Sequence, residues 1–226
     1  MIGLQNCVRP PMKHTLTINE IFYSIQGEST RAGMPCVFVR LTGCHLRCDY
    51  CDTEYAFNEG RSMSVEEIIG KVNRFCCNLV EITGGEPLLQ QSVHGLMQRL
   101  CDEGNTVLLE TSGAVDIGGV DPRVIRVMDL KCPSSGEVAS NRYQNIELLR
   151  SQDEVKFVVG SEDDYDWAKS VIQKYQLSSH CVVLMSPVFE QLELASLASW
   201  ILRDGLGVRL QTQLHKLIWD PQARGV

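Results

Sequence analysis

The sequence predicts an α/β chain folded as an incomplete, open (β/α) barrel with about six parallel strands, in a compact variant. Three observations carry that expectation. Short β-rich apolar runs alternate with amphipathic helical stretches, an order that makes the strands parallel and the helices their crossovers. About six such strands are too few for the closed eight-stranded barrel. One crossover looks abridged, because residues 114–123 hold Gly118, Gly119 and Pro122 and no apolar helical face.

Taken in order, Cys36-Val37-Phe38-Val39-Arg40-Leu41 reads as the first of these strands and leads into a cysteine-rich loop. Ser64-Val65-Glu66-Glu67 has the spacing of a capping box, after which Val65, Ile68, Ile69, Val72 and Cys76 share one helical face. Val80-Glu81-Ile82-Thr83 is the next strand. A helix with Val93, Leu96, Met97, Leu100 and Cys101 on its apolar face then ends near Gly104. Strands over 106–110 and 127–130 follow, and a Ser-rich loop leads to a strand over 155–159 and a helix over 164–175. A strand over 182–185, a helix carrying Leu194, Leu197, Ala198 and Ile201, and a strand over 208–211 complete the series. No composition shift marks a second domain, so residues 14–226 are expected to form one domain behind a flexible tail, residues 1–13.

Composition narrows the function classes. With 226 residues, 44% of them apolar, the chain can bury a sizeable core. Ten cysteines at irregular spacing, without a charged start followed by an apolar run, predict reduced thiols in a cytoplasmic protein. No apolar stretch could span a bilayer, and a net charge of -7 disfavours nonspecific nucleic-acid binding. Neither a membrane nor nucleic acid is therefore an expected partner.

The chemistry concentrates in Cys44-His45-Leu46-Arg47-Cys48-Asp49-Tyr50-Cys51, a CxxxCxxC loop that offers three thiolates and no fourth. An iron–sulfur cubane held this way keeps one iron open to a small molecule, unlike a fully capped electron carrier. The bare spacing also admits zinc or structural thiols, although zinc would need a distant fourth ligand. Further candidates lie just past strands, where α/β folds gather ligands: Thr83-Gly84-Gly85-Glu86-Pro87, Glu110-Thr111-Ser112-Gly113, Asp129-Leu130-Lys131 and Met185-Ser186-Pro187-Val188. Cys7, Cys36, Cys76, Cys77, Cys101, Cys132 and Cys181 read as mostly structural, with Cys132 beside Lys131 the candidate reactive thiol.

Together the cysteine loop and Gly84-Gly85-Glu86 resemble the signature of radical S-adenosylmethionine (SAM) enzymes. Ile18-Asn19-Glu20-Ile21-Phe22-Tyr23-Ser24-Ile25-Gln26-Gly27-Glu28, Val39-Arg40-Leu41-Thr42-Gly43-Cys44, Cys51-Asp52-Thr53 and Leu210-Gln211-Thr212-Gln213-Leu214-His215-Lys216 extend the likeness. Over that span the chain resembles the 7-carboxy-7-deazaguanine synthase family. The resemblance implies a radical-SAM-type open barrel that converts 6-carboxy-5,6,7,8-tetrahydropterin to 7-carboxy-7-deazaguanine with loss of ammonia, toward queuosine. It implies a 4Fe-4S cluster on Cys44, Cys48 and Cys51, and Mg²⁺ at Thr53. It also implies SAM contacts from Tyr50, Cys51, Asp52, Gly85, Glu86, Ser112, Asp129, Leu130, Lys131 and Ser186. The pterin would meet Ile25, Gln26, Gly27, Glu28, Arg40, Thr83 and His215, with Arg40 pairing its carboxylate and backbone carbonyls around residues 25–27 its N–H edge. A homodimer and a flavodoxin- or ferredoxin-type reductant come with the family. A glycyl-radical-enzyme activase is the rival reading, and a non-catalytic iron–sulfur or zinc module the bland one.

Overall fold

A computed structural model describes residues 15–226; the tail expected over residues 1–13 lies outside them. The strands are β1 (Thr15–Ile25), β2 (Pro35–Leu41), β3 (Arg61–Ser64), β4 (Leu79–Gly84), β5 (Thr106–Thr111), β6 (Ile125–Asp129), β7 (Glu154–Val159), β8 (Val182–Pro187) and β9 (Arg209–Leu210). They form one sheet in the order β3-β1-β2-β4-β5-β6-β7-β8-β9. From β2 through β9 the neighbours are parallel, so six full strands and the two-residue β9 meet the expected count. β3 and β9 lie at opposite ends of the order, and the barrel is open.

Two strands were not foreseen. β1 runs antiparallel to both β2 and β3. Its alternation of buried and exposed residues breaks where the register shifts between Ile18 and Glu20, and such a bulge erases the period-two signal. The helices are α1 (Val65–Val72), α2 (Val93–Asp102), α3 (Glu162–Tyr175), the single-turn α4 (Leu177–His180), α5 (Leu194–Asp204) and the single-turn α6 (His215–Ile218). As expected, no helix links β5 to β6.

In α1 the capping box is formed: Glu67 N–H donates to Ser64 Oγ at 3.2 Å, and Ser64 N–H donates to Glu67 Oε2 at 2.7 Å. A cap contributes about 1 kcal/mol. Burial of each of Val65, Ile68, Ile69 and Val72 contributes roughly 1.5–3 kcal/mol, so packing holds the helix and the cap fixes its start. Cys76, read as part of that apolar face, corrects the expectation: the helix stops at Val72 and Cys76 is exposed.

Strand alternation gives the sheet two different faces. Val37, Val39, Val80, Ile82, Val107, Leu109, Val155, Phe157, Val183 and Met185 pack under the helices in the main core. The alternate positions turn the other way. A small apolar cluster of Cys36, Phe38, Leu79, Leu108 and Ile125 closes the amino end of that face. Above it, towards the carboxyl ends of the strands, the buried residues are polar: Glu81, Thr83, Asp129, Lys156 and Ser186. This is the barrel lumen. Among the described residues no helix is long and apolar enough to cross a membrane.

Candidate active site at the carboxyl ends of the strands

β2 delivers the cysteine loop, and β4 delivers the diglycine loop against it. Gly85 N–H donates to Leu41 O at 3.2 Å and Glu86 N–H to Gly43 O at 2.8 Å. A Cβ on Gly85 would lie 2.2 Å from Gly43 O and 2.9 Å from Cys44 Cβ, so only glycine permits this contact. Cys44, Cys48 and Cys51 are half-buried at the rim. Burial pushes the Cys48 thiol up to about 11, against the pull of the Lys131 ammonium, and Cys44 and Cys51 are raised in the same way. Iron must therefore displace protons to bind. Among the described residues no three His, Cys, Asp or Glu side chains converge on a single ion. A cubane makes no such demand, since its three cysteines sit on separate irons.

The neighbouring residues fit a polar cofactor. Asp129 Oδ2 accepts from Lys131 Nζ at 2.8 Å, while among the described residues the buried Oδ1 has no partner, nor do Oε1 and Nε2 of Gln211. Buried polar atoms are rarely orphaned, so these three suit a ligand with hydroxyl, carboxylate or amine groups. Tyr50, between two cysteines, donates its hydroxyl to Val158 O at 3.3 Å. Ser186 is buried at the end of β8.

At three of the expected cofactor positions the side chain is already engaged within the protein. The Glu86 carboxylate is saturated by Leu88 N–H, Thr111 Oγ1, Ser112 N–H and Ser112 Oγ at 2.6–3.1 Å, so it braces β4 against β5. Ser112 is spent on the same bonds. Leu130 turns its side chain into the helix-side core. The backbone N–H groups of Glu86, Leu130 and Ser112 are engaged as well, by Gly43 O, Lys156 O and Glu86 Oε2. Cys132 is fully buried and its thiol is pushed well above the usual range by burial and then by Asp164, so it is not the reactive thiol its neighbour Lys131 suggested.

The expected pterin residues gather on one side of the lumen. Gln26 receives Glu28 N–H on Oε1 at 3.1 Å and donates Nε2 to Glu81. Glu28 accepts from Lys156 Nζ at 2.8 Å and Gln213 Nε2 at 3.0 Å. Lys156 also donates to Glu110 at 2.5 Å, and Thr83 Oγ1 donates to Glu110 at 2.8 Å. Arg40 donates Nε to Glu20 at 2.8 Å and stands 5.7 Å from the Phe22 ring centroid; its terminal nitrogens make no hydrogen bond to the described residues.

The segment after β9 closes this side. Leu214 N–H donates to Gly27 O at 3.0 Å, and Lys216 Nζ donates to Asp52 Oδ2 at 2.7 Å. His215 packs on Gly27, where burial lowers its pKa against the pull of Glu28 and Asp52. Two of the backbone carbonyls expected to meet a pterin are already engaged, Gln26 O by Gly33 N–H and Gly27 O by Leu214 N–H. Thr53 donates its hydroxyl to Asp52 Oδ1 at 2.8 Å and keeps its lone pairs.

Charge is unevenly compensated in the lumen. Burial opposes charge on Glu110, but the Lys156 ammonium holds it well below the usual carboxylate range. Glu81 goes the other way: burial, then Glu110, push it up to about 8. The unfolded chain releases that proton near 4.5, so between about 4.5 and 8 the native chain keeps a proton the unfolded chain has lost. Stability should fall as pH rises through this window, by roughly a few kcal/mol. We expect Glu81→Gln to flatten that fall in urea midpoints measured across the window; an unchanged slope would assign it to another group.

Glu81 and Lys156 escaped sequence reading as site residues, as did Gln211, and Glu110 was read only as part of a strand-end candidate segment. The signal was present: Val80-Glu81-Ile82, Leu109-Glu110-Thr111 and Val155-Lys156-Phe157 each set one charge inside an otherwise buried strand. At period two those charges share the face opposite the helices.

Residues 38–130 match the model of the Radical SAM superfamily. With a three-cysteine loop seated on a diglycine turn in an open, mostly parallel barrel, the chain is a radical SAM enzyme, and that class implies a 4Fe-4S cluster and SAM. A 7-carboxy-7-deazaguanine synthase from Chlorobaculum tepidum is 52% identical over 214 residues, covering 93% of this chain and 97% of its own. One from Koribacter versatilis is 43% identical, covering 93% and 100%. The chain belongs to the 7-carboxy-7-deazaguanine synthase family. The crystal structure of QueE from Escherichia coli has the same fold, with a TM-score of 0.76 over 89% of this chain and 95% of its own at 22% identity.

Proposed function

We propose that this chain converts 6-carboxy-5,6,7,8-tetrahydropterin to 7-carboxy-7-deazaguanine with release of ammonia, a step toward queuosine. One juxtaposition carries the reading: Glu28, Arg40, Thr83 and His215 share the lumen with the cysteine and diglycine loops. Cys44, Cys48 and Cys51 would hold the cluster, and Tyr50, Asp52, Gly85, Asp129, Lys131 and Ser186 would line the SAM site. When bound, these cofactors supply the electron and the carbon radical that begin hydrogen transfer.

The chain's own residues bind and orient. Arg40, fixed at Nε by Glu20, has its terminal nitrogens for a substrate carboxylate in a two-pronged pair. The Glu28 carboxylate accepts N–H donors from the pterin edge. Thr53 contributes one neutral oxygen to Mg²⁺, which keeps several waters and takes the rest of its shell from substrate. His215, with its pKa lowered, stays neutral and can accept or pass a proton at the lumen wall. A cytoplasmic homodimer served by a flavodoxin- or ferredoxin-type reductant belongs to the same proposal.

The test is anaerobic turnover of reconstituted enzyme with the pterin, SAM and a reductant. We expect one ammonia released for each deazaguanine formed, without stoichiometric loss of SAM. Chelating Mg²⁺ should slow the rate about tenfold, the scale of a lost ligand shell contact, and added Mg²⁺ should restore it. SAM consumed without pterin product, with a radical appearing on an added protein, would favour the activase reading instead.

A further inference from the structure

We infer that Lys156 is a positioning residue of this site, its ammonium fixing the Glu28 carboxylate, and with it the pterin edge, relative to Glu110 and Asp129. The inference rests on the pterin reading given above. Lys156 is 4% exposed and lies in the middle of β7. Its Nζ stands 2.8 Å from Glu28 Oε2, 2.5 Å from Glu110 Oε1 and 3.9 Å from Asp129 Oδ2. Those carboxylates come from the segment after β1, from β5 and from β6, so one ammonium ties the substrate side of the lumen to the cofactor side.

Each carboxylate also has a second partner: Gln213 for Glu28, Thr83 for Glu110 and Lys131 for Asp129. The carboxyls would therefore remain in the lumen without Lys156, with Asp129 still paired to Lys131 but Glu28 and Glu110 left on neutral partners. Burying an ammonium costs desolvation energy, and an apolar residue of similar length would pack on this sheet without that cost. What the charge adds is direction: Glu28 is pulled from one side by Lys156 and from the other by Gln213, leaving it one orientation. The other groups facing this cluster are Glu81 on β4, Arg40 on β2, Lys131 after β6 and His215 on α6, while Glu154 on β7 itself is turned to Thr30.

The test uses cluster-loaded enzyme in which Lys156→Met is compared with wild type. KM for the pterin should rise at least tenfold, and the acid limb of kcat/KM should move to higher pH as Glu110 loses the ammonium that keeps it ionised. Iron content and the SAM-induced change in the cluster's paramagnetic signal should stay as in wild type. Lys156→Arg, which keeps the charge, should return the acid limb. If Lys156→Met does not accumulate as folded protein, Lys156→Met with Glu110→Gln removes one charge of each sign, and its affinity for 6-carboxypterin, read by fluorescence, should still fall tenfold. A lowered Tm with unchanged KM, affinity and pH profile would make Lys156 merely structural and overturn the inference alone. Wild-type enzyme inert toward the pterin would sink the functional reading, and this inference with it.

Discussion

Replacing Cys48 with alanine is expected to leave a folded protein that holds no intact cubane and turns over pterin on the order of a thousandfold more slowly, or not at all. The cause is a ligand count. The loop supplies three thiols, and a cubane that already leaves one iron to SAM cannot lose a second protein ligand and remain anchored. The fold should survive, because Cys48 lies in a loop at the rim and is only half-buried. Iron and sulfide analysis should fall to background while the far-ultraviolet circular dichroism stays unchanged. Persistent reductive cleavage of SAM by this variant would refute the three-thiolate assignment.

The second large effect is expected from a single methyl group at Gly27. A Cβ there would lie 2.2 Å from His215 Nδ1 and 3.1 Å from the His215 backbone nitrogen. The ring atom clashes outright and the backbone nitrogen must give by a few tenths of an ångström, so Gly27→Ala should displace the His215 ring and strain the Leu214 N–H to Gly27 O bond. Displacements of about 1 Å at a positioning surface can cost about a hundredfold, and we expect kcat/KM for the pterin to fall by that order. SAM cleavage uncoupled from product should continue, since the diglycine loop is held by Leu41 O and Gly43 O rather than by Gly27. A double-mutant cycle makes the cause explicit: in a His215→Ala background Gly27→Ala should cost little more. Additive losses would show that the glycine acts through something other than the histidine.

These two variants mark what could and could not be read in advance. Cys48 was legible because its meaning lies in local spacing, three sulfurs within eight residues. The parallel strands were legible too, since apolar runs such as residues 155–159 and 182–185 repeat between helical patterns. Gly27 opposite His215 was not, because that contact joins residues far apart in the chain and depends on how the segment after β9 folds back. The same holds for Glu86, whose hydrogen bonds to Thr111 and Ser112 span two strand ends and turn an apparent cofactor ligand into a brace. β1 was hidden by its bulge. Glu81 and Lys156 were legible at period two as charges on the face opposite the helices, but not as partners of Glu28 and Glu110, which lie far from them in the chain.

The link between Lys216 and Asp52 spans 164 residues of chain. During synthesis the cysteine loop therefore leaves the ribosome long before its partner in this ion pair exists, and that side of the lumen stays uncovered until Lys216 has followed. For that whole interval the three thiols of the cysteine loop stand without the carboxyl-terminal segment beside them, and they remain half-exposed once it has arrived.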